Sequence, residues 1–169
     1  PIAALPAAGQ TVPSPTIREV VQGAVEGVIR PAFADFRVKA DALAVAASAL
    51  CSAPSEQGLA DARAAFRDTA LAHARIEHYR FGPLTADNRA ERLLFFPDPK
   101  GIALRQIQAV LSQRDESATD PATLRHKSVA LQGLVALEYV LHGTGAETLA
   151  VAGDDFRCRY GAAIAKAID

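Results

Sequence analysis

The 169-residue chain carries 18 lysine and arginine against 19 aspartate and glutamate residues, a formal net charge of −1. It therefore lacks the basic excess of a nucleic-acid binder and of a protein held to membranes by a polybasic patch. Half of the residues are hydrophobic and 22% are charged, which excludes a disordered chain and supports one core.

Alanine supplies much of the apolar count, aromatics are 6%, and Met and Trp are absent. That composition leans towards packed helices. Without Met, Pro1 is not a natural translation start, so a removed segment is expected ahead of it. No window of 18 apolar residues occurs, and no transmembrane helix is expected.

Residues 1–15 contain Pro1, Pro6, Pro13 and Pro15 among alanines and read as an extended linker after a removed signal or lipoprotein sequence. Thr16-Ile17-Arg18-Glu19 has the form of a capping box, so regular structure is expected to begin there. Ile17, Val20, Val21, Ala24, Val25, Val28 and Ile29 follow a 3-4 spacing, the apolar stripe of a helix. Pro31 should kink it. The stripe resumes with Phe33, Phe36, Ala40, Leu43, Ala47 and Leu50, giving one long bent helix that ends near Cys51.

A second helix is expected from Leu59, Ala62, Phe66, Ala70, His73 and Glu77, closed by Phe81-Gly82-Pro83. Phe95-Phe96-Pro97 reads as a loop packed over the core. Asp98-Pro99 pairs an N-cap with Pro at the first helical position, opening a helix with Ile102, Ile107, Val110 and Leu111. Asp120-Pro121 repeats that signal for a helix through Leu124, Leu131, Leu134, Val135, Leu137, Glu138 and Leu141, stopped by Gly143. The last helix begins near Gly153-Asp154 and carries Phe156, Tyr160 and Ile164. No segment alternates with period two. The expectation is all-α, an up-down bundle of four to five helices with the first kinked at Pro31.

Five segments, in order, resemble the imelysin family of bacterial envelope proteins. They are Ile29-Arg30-Pro31-Ala32-Phe33, Ala49-Leu50-Cys51-Ser52-Ala53-Pro54, Tyr79-Arg80-Phe81-Gly82-Pro83-Leu84, Phe96-Pro97-Asp98-Pro99-Lys100-Gly101, and Gln132 through Leu141. The resemblance spans residues 16–169. It implies a helical, two-bundle protein, exported to the periplasm or outer membrane and often associated with iron uptake. Family members are about twice this long. This chain would then be the N-terminal bundle, with a C-terminal helical bundle and iron-uptake components as partners and a lipid anchor upstream. Neither nucleic acid nor a membrane span is expected.

The family's site pattern is Gly-x-His-x-x-Glu. Gly133 and Glu138 match it, while Val135 stands at the histidine position. Valine neither ligates a metal nor moves a proton, and a zinc peptidase needs about three protein ligands and an activated water. No proteolysis is expected. The alternatives are a metallopeptidase that uses Glu138 with another histidine, and a structural helical interaction module.

Glu138 is expected to be partly buried, on a stripe with Leu131 and Val135, as a ligand-binding group or a structural carboxylate. His142 lies four residues on, so the two share a helix face. Together they form a candidate iron or zinc pair. The bland reading is a positive ring favoured by the helix C-terminus. His73 and Glu77 have the same spacing, with Arg80 at the helix end; they read either as a polar ligand site with Glu138 or as a simple ion pair. Arg89, Arg92 and Arg105 read as a solvated face or an anion site. Cys51 and Cys158 are two buried thiols or a disulfide, which export would permit.

Overall fold

A computed structural model describes residues 15–152 and 155–168, Pro83 by its backbone alone. Of the expected linker, residues 1–14 lie outside the described residues, as do Gly153 and Asp154 at the expected start of the last helix. Among the described residues there is helix and no strand, and no helix is long and apolar enough to cross a membrane. The chain divides into two compact units, one ending at Pro31 and the other covering Ala32–Asp169.

The first unit carries α1 (Ile17–Ala24) and a π-helical turn, Val25–Ile29. Thr16 and Glu19 cap α1 reciprocally: the Glu19 N–H donates to Thr16 Oγ1 at 3.3 Å, and the Thr16 N–H donates to Glu19 Oε2 at 2.8 Å. The expected irregularity at Pro31 begins earlier, in the π turn, where the Arg30 N–H reaches back to the Val25 carbonyl. Pro31 has no N–H to donate to the turn before it, and widening that turn accommodates the loss. The apolar stripe of this unit is exposed, with Ile17 at 84% and Val20, Val21 and Val28 at 55–56%.

The second unit holds the core. The helix α2 (Arg30–Ser52) enters it and buries Phe36, Ala40, Leu43, Ala47 and Leu50, an alternating 4-3 spacing along one face. A tight turn leads to α3 (Glu56–Ala74), whose N-cap Ser55 accepts from the Gly58 N–H. The two helices run antiparallel, as contacts along their length show. Leu50 lies near Gly58, Thr69 Oγ1 donates to the Lys39 carbonyl at 2.9 Å, and Arg75 pairs with Asp35 at 3.2 Å.

Three boundaries differ from the sequence expectation. First, α3 stops at Ala74, and residues 75–78 form turns, so the run expected to reach Phe81 is shorter. Second, α5 (Ile102–Gln113) begins after Gly101, which has φ +59°, rather than at Pro99. Asp98 still caps it, accepting from the Ile102 and Ala103 N–H groups at 2.8 Å each. Third, the helix expected from Pro121 to Leu141 is broken. It becomes α6 (Pro121–Leu124), a 3₁₀ turn at Val129–Leu131, and α7 (Gly133–His142). Gln132 is extended and Gly133 has φ +69°, a geometry no helix can run through.

Between α3 and α5, α4 (Arg89–Leu93) follows a 3₁₀ segment, Gly82–Asn88. Phe95 packs partly against the core, but Phe96 is 75% exposed, against the expectation that both would pack.

The most buried pair is α7 with α8 (Asp155–Ile168). Gly161 lets them approach: a Cβ there would lie 2.9 Å from Val140 Cγ1. Tyr160 is fully buried and donates to the Leu131 carbonyl at 2.8 Å. The helix α7 also packs on α3 and α5. Cys51 and Cys158 form a disulfide across 107 residues, tying the end of α2 to α8. In the chain-entropy account a closed loop of this length stabilises by constraining the unfolded chain, by at most about 4.7 kcal/mol.

Candidate functional site

The residues singled out in sequence fall on two separate places. The first is α7. Its opening residue, Gly133, meets the end of α4 so closely that a Cβ would overlap the carbonyl oxygens of Arg92 and Leu93. The positive φ and this approach both require glycine. Val135 is half-buried and packs against the core, with no lone pair to offer.

Glu138 is exposed, which corrects the expectation of partial burial. Leu131 belongs to a 3₁₀ turn ahead of α7, so it does not set the phase of the helix. The inward positions are Gly133, Leu134, Ala136, Leu137, Val140 and Leu141, which leaves Glu138 and His142 on the outward face.

His142 is also exposed, its ring 5.9 Å from that of Phe66. The expectation of a ring held positive by the helix end is not met. Desolvation lowers its pKa, the Arg63 guanidinium lowers it further, and Glu138 opposes only in part. Arg63 occupies the helix end itself, donating from Nε to the Leu141 carbonyl at 2.8 Å. Glu138 and His142 are two donors, and among the described residues no group of three or more His, Cys, Asp or Glu side chains is placed to hold a metal ion. A closed zinc site takes four ligands and a catalytic one about three, so the pair by itself does not fit iron or zinc.

The second place is a cleft at the end of α3. His73, in the last turn of α3, is 5% exposed, and its ring meets that of Phe36 edge-on at 5.8 Å. Beyond Ala74 the chain turns: the Ile76 and Glu77 N–H groups both donate to the His73 carbonyl, at 2.8 and 2.9 Å. The turn carries Glu77, His78 and Arg80 to the same cavity. They line about 300 Å³ with His73 and with Leu84, Ala90, Leu94 and Phe96. A smaller cavity of about 190 Å³ adjoins it, sharing Arg80, Leu84 and Ala90.

His73, Glu77 and Arg80 are thus brought together as the sequence suggested. Glu138, Gly133 and Val135 are not among the lining residues, and Glu138 does not join them. The ion-pair reading fails as well, because Glu77 and His73 form no such pair among the described residues; Glu77 is exposed on a turn and not one helical turn further along α3. Burial lowers the pKa of His73 and Arg80 lowers it further, while Glu77 works in the opposite direction. The ring is therefore neutral at pH 7, able to donate from one nitrogen and accept at the other.

Leu84, Ala90, Leu94 and Phe96 carried no sequence signal for this role, since they reach the cavity only because α4 and its flanking loops fold back over the end of α3. Arg92 and Arg105 donate to nearby backbone carbonyls, of Asp87 and Lys100, and Arg89 lies 3.7 Å from Asp87, so each of the three is engaged locally.

Arg157 was also missed. It is 5% exposed, and its guanidinium donates to the carbonyls of Val140 at 3.0 Å, Tyr139 at 2.9 Å and Thr144 at 2.8 Å. It satisfies the end of α7 from within. Its only sequence hint is a basic residue between Phe156 and Tyr160 on an inward-facing stretch of α8.

The family model described as Imelysin matches residues 29–168 of the chain. No curated protein and no solved structure matches it.

Proposed function

This chain belongs to the imelysin family, and from that premise we propose that it is an exported ligand-binding protein of the bacterial envelope, of the iron-uptake type, that cuts no peptide bonds. One observation carries this reading: the cleft of His73, Glu77 and Arg80 gathers the convergent polar groups, while the family motif on α7 has Val135 for its histidine and an exposed Glu138. A concave site with an apolar wall and few polar groups is the usual form of a small-molecule site. The outward face of α7 is the reverse of that.

Export is supported by the Cys51–Cys158 disulfide, since such bridges persist in oxidising compartments. On this reading the partners are a C-terminal helical bundle and the components of iron uptake, with a lipid anchor upstream.

The test is a protease assay beside an intact-mass measurement. Purified protein with added zinc should release no fragments from labelled casein above the level of its Glu138→Ala variant. Protein isolated from cells should gain the mass of two hydrogens on reduction. Zinc-dependent cleavage that Glu138→Ala abolishes would establish the peptidase instead.

A further inference from the structure

Two charges of opposite sign line the His73 cleft without neutralising each other. Arg80 and Glu77 are three residues apart and border the same cavity. The Arg80 Nε donates to the backbone carbonyl of Glu77 at 3.1 Å, not to its carboxylate. Among the described residues the two side chains close no ion pair. Both side chains are exposed, so each charge is open to water or to a ligand group of the other sign. A simple anion would have to face Glu77, and a simple cation would have to face Arg80.

The third polar group is His73. His73 is 5% exposed and lines the cavity, and among the described residues no hydrogen bond joins its ring to the protein. Its nitrogens are not sealed from solvent, so a ligand entering the cavity can exchange hydrogen bonds with the ring in place of water. His78 also borders the cavity, and the rest of the wall is apolar: Leu84, Ala90, Leu94 and Phe96, the last of them 75% exposed. The volume of about 300 Å³ lies at the small end of ligand cavities, which run from about 300 to 1,000 Å³. That size suits a small molecule better than a polypeptide segment.

We propose that this cleft binds a free α-amino acid with an apolar side chain. Its ammonium group meets the Glu77 carboxylate and its carboxylate meets Arg80. Its side chain covers Leu84, Leu94 and Phe96, and His73 hydrogen-bonds its polar end. The proposal rests on the cleft being the ligand site proposed above and adds the chemical class of the ligand.

The experiment is a titration of the whole disulfide-bonded chain, followed by the ring signals of His73 in NMR and by calorimetry. The probes are L-phenylalanine, L-leucine, 3-phenylpropionate, phenethylamine and L-phenylalaninamide. The two free amino acids should shift the His73 ring, and the three probes that lack one charge should bind about tenfold or more weakly, as expected for losing a charged hydrogen bond. Arg80→Gln should weaken L-phenylalanine by a similar factor without weakening phenethylamine; Glu77→Gln should do the same without weakening 3-phenylpropionate. Unchanged circular dichroism would show that both variants fold.

Equal binding of L-phenylalanine and a singly charged analogue would overturn the proposal. If no amino acid binds but another member of a mixed small-molecule library shifts the His73 ring, the amino-acid class is wrong and the cleft survives as a ligand site. If nothing shifts that ring, both fall.

Discussion

The motif helix α7 and the cleft at the end of α3 are opposites in physical terms. On α7 the recognisable residues look outward: Glu138 and His142 are exposed, and Gly133 is required by the backbone. In the cleft a buried imidazole, a carboxylate and a guanidinium line one cavity under an apolar wall. A motif can be conspicuous in sequence while its glycine serves the backbone and its carboxylate faces solvent. A site with no motif can carry the chemistry, because a cavity collects residues from segments far apart in the chain.

The contrast can be broken most forcefully at Gly133. Gly133→Ala forces a side chain into the carbonyls of Arg92 and Leu93 at a positive φ. It should destabilise by about 4 kcal/mol or more, read as a lower urea midpoint. A mild effect would mean that the motif glycine is not there for the backbone.

Next comes the disulfide. Cys51→Ser with Cys158→Ser should remove about 2–5 kcal/mol, checked by thermal unfolding with and without reductant. The wild type should lose the same increment on reduction, and the double variant should lose nothing further.

Arg157→Met leaves the carbonyls at the end of α7 without their buried donor. A loss of about 2–3 kcal/mol is expected. Hydrogen exchange should rise first in α7, since the lost bonds cluster there.

The cleft should reveal itself through pH. Burial lowers the pKa of His73 from its ordinary 6.5. Below that value the unfolded chain takes up the proton before the folded one, so stability present above it falls as pH drops through the folded value. His73→Phe should flatten this acid slope in urea midpoints measured between pH 7.5 and 5. Part of the slope should remain, because His142 is shifted the same way. An unchanged slope would place His73 in water.

The smallest effect is expected at Glu138. Glu138→Gln should move stability by no more than about 0.5 kcal/mol and leave the His73 ring signals where they are. A larger response in either would return the site to α7.

The sequence by itself determined the helical class, the inward faces of the longer helices and the family. Phe36, Ala40, Leu43, Ala47 and Leu50 are buried as their spacing required, and Thr16 and Glu19 cap α1 as their pattern required. These features depend on residues within a turn or two of one another, and periodicity records them. Where α3 stops, where the chain breaks before Gly133, and which way Glu138 faces were settled by tertiary contacts: Arg92 and Leu93 against Gly133, Arg157 on the end of α7, Leu94 and Phe96 beside His73. Such contacts join segments distant in sequence. Their free energies exceed the small local preferences that a single stretch of chain expresses, so the cleft came into being only when α3, α4 and their loops were brought together.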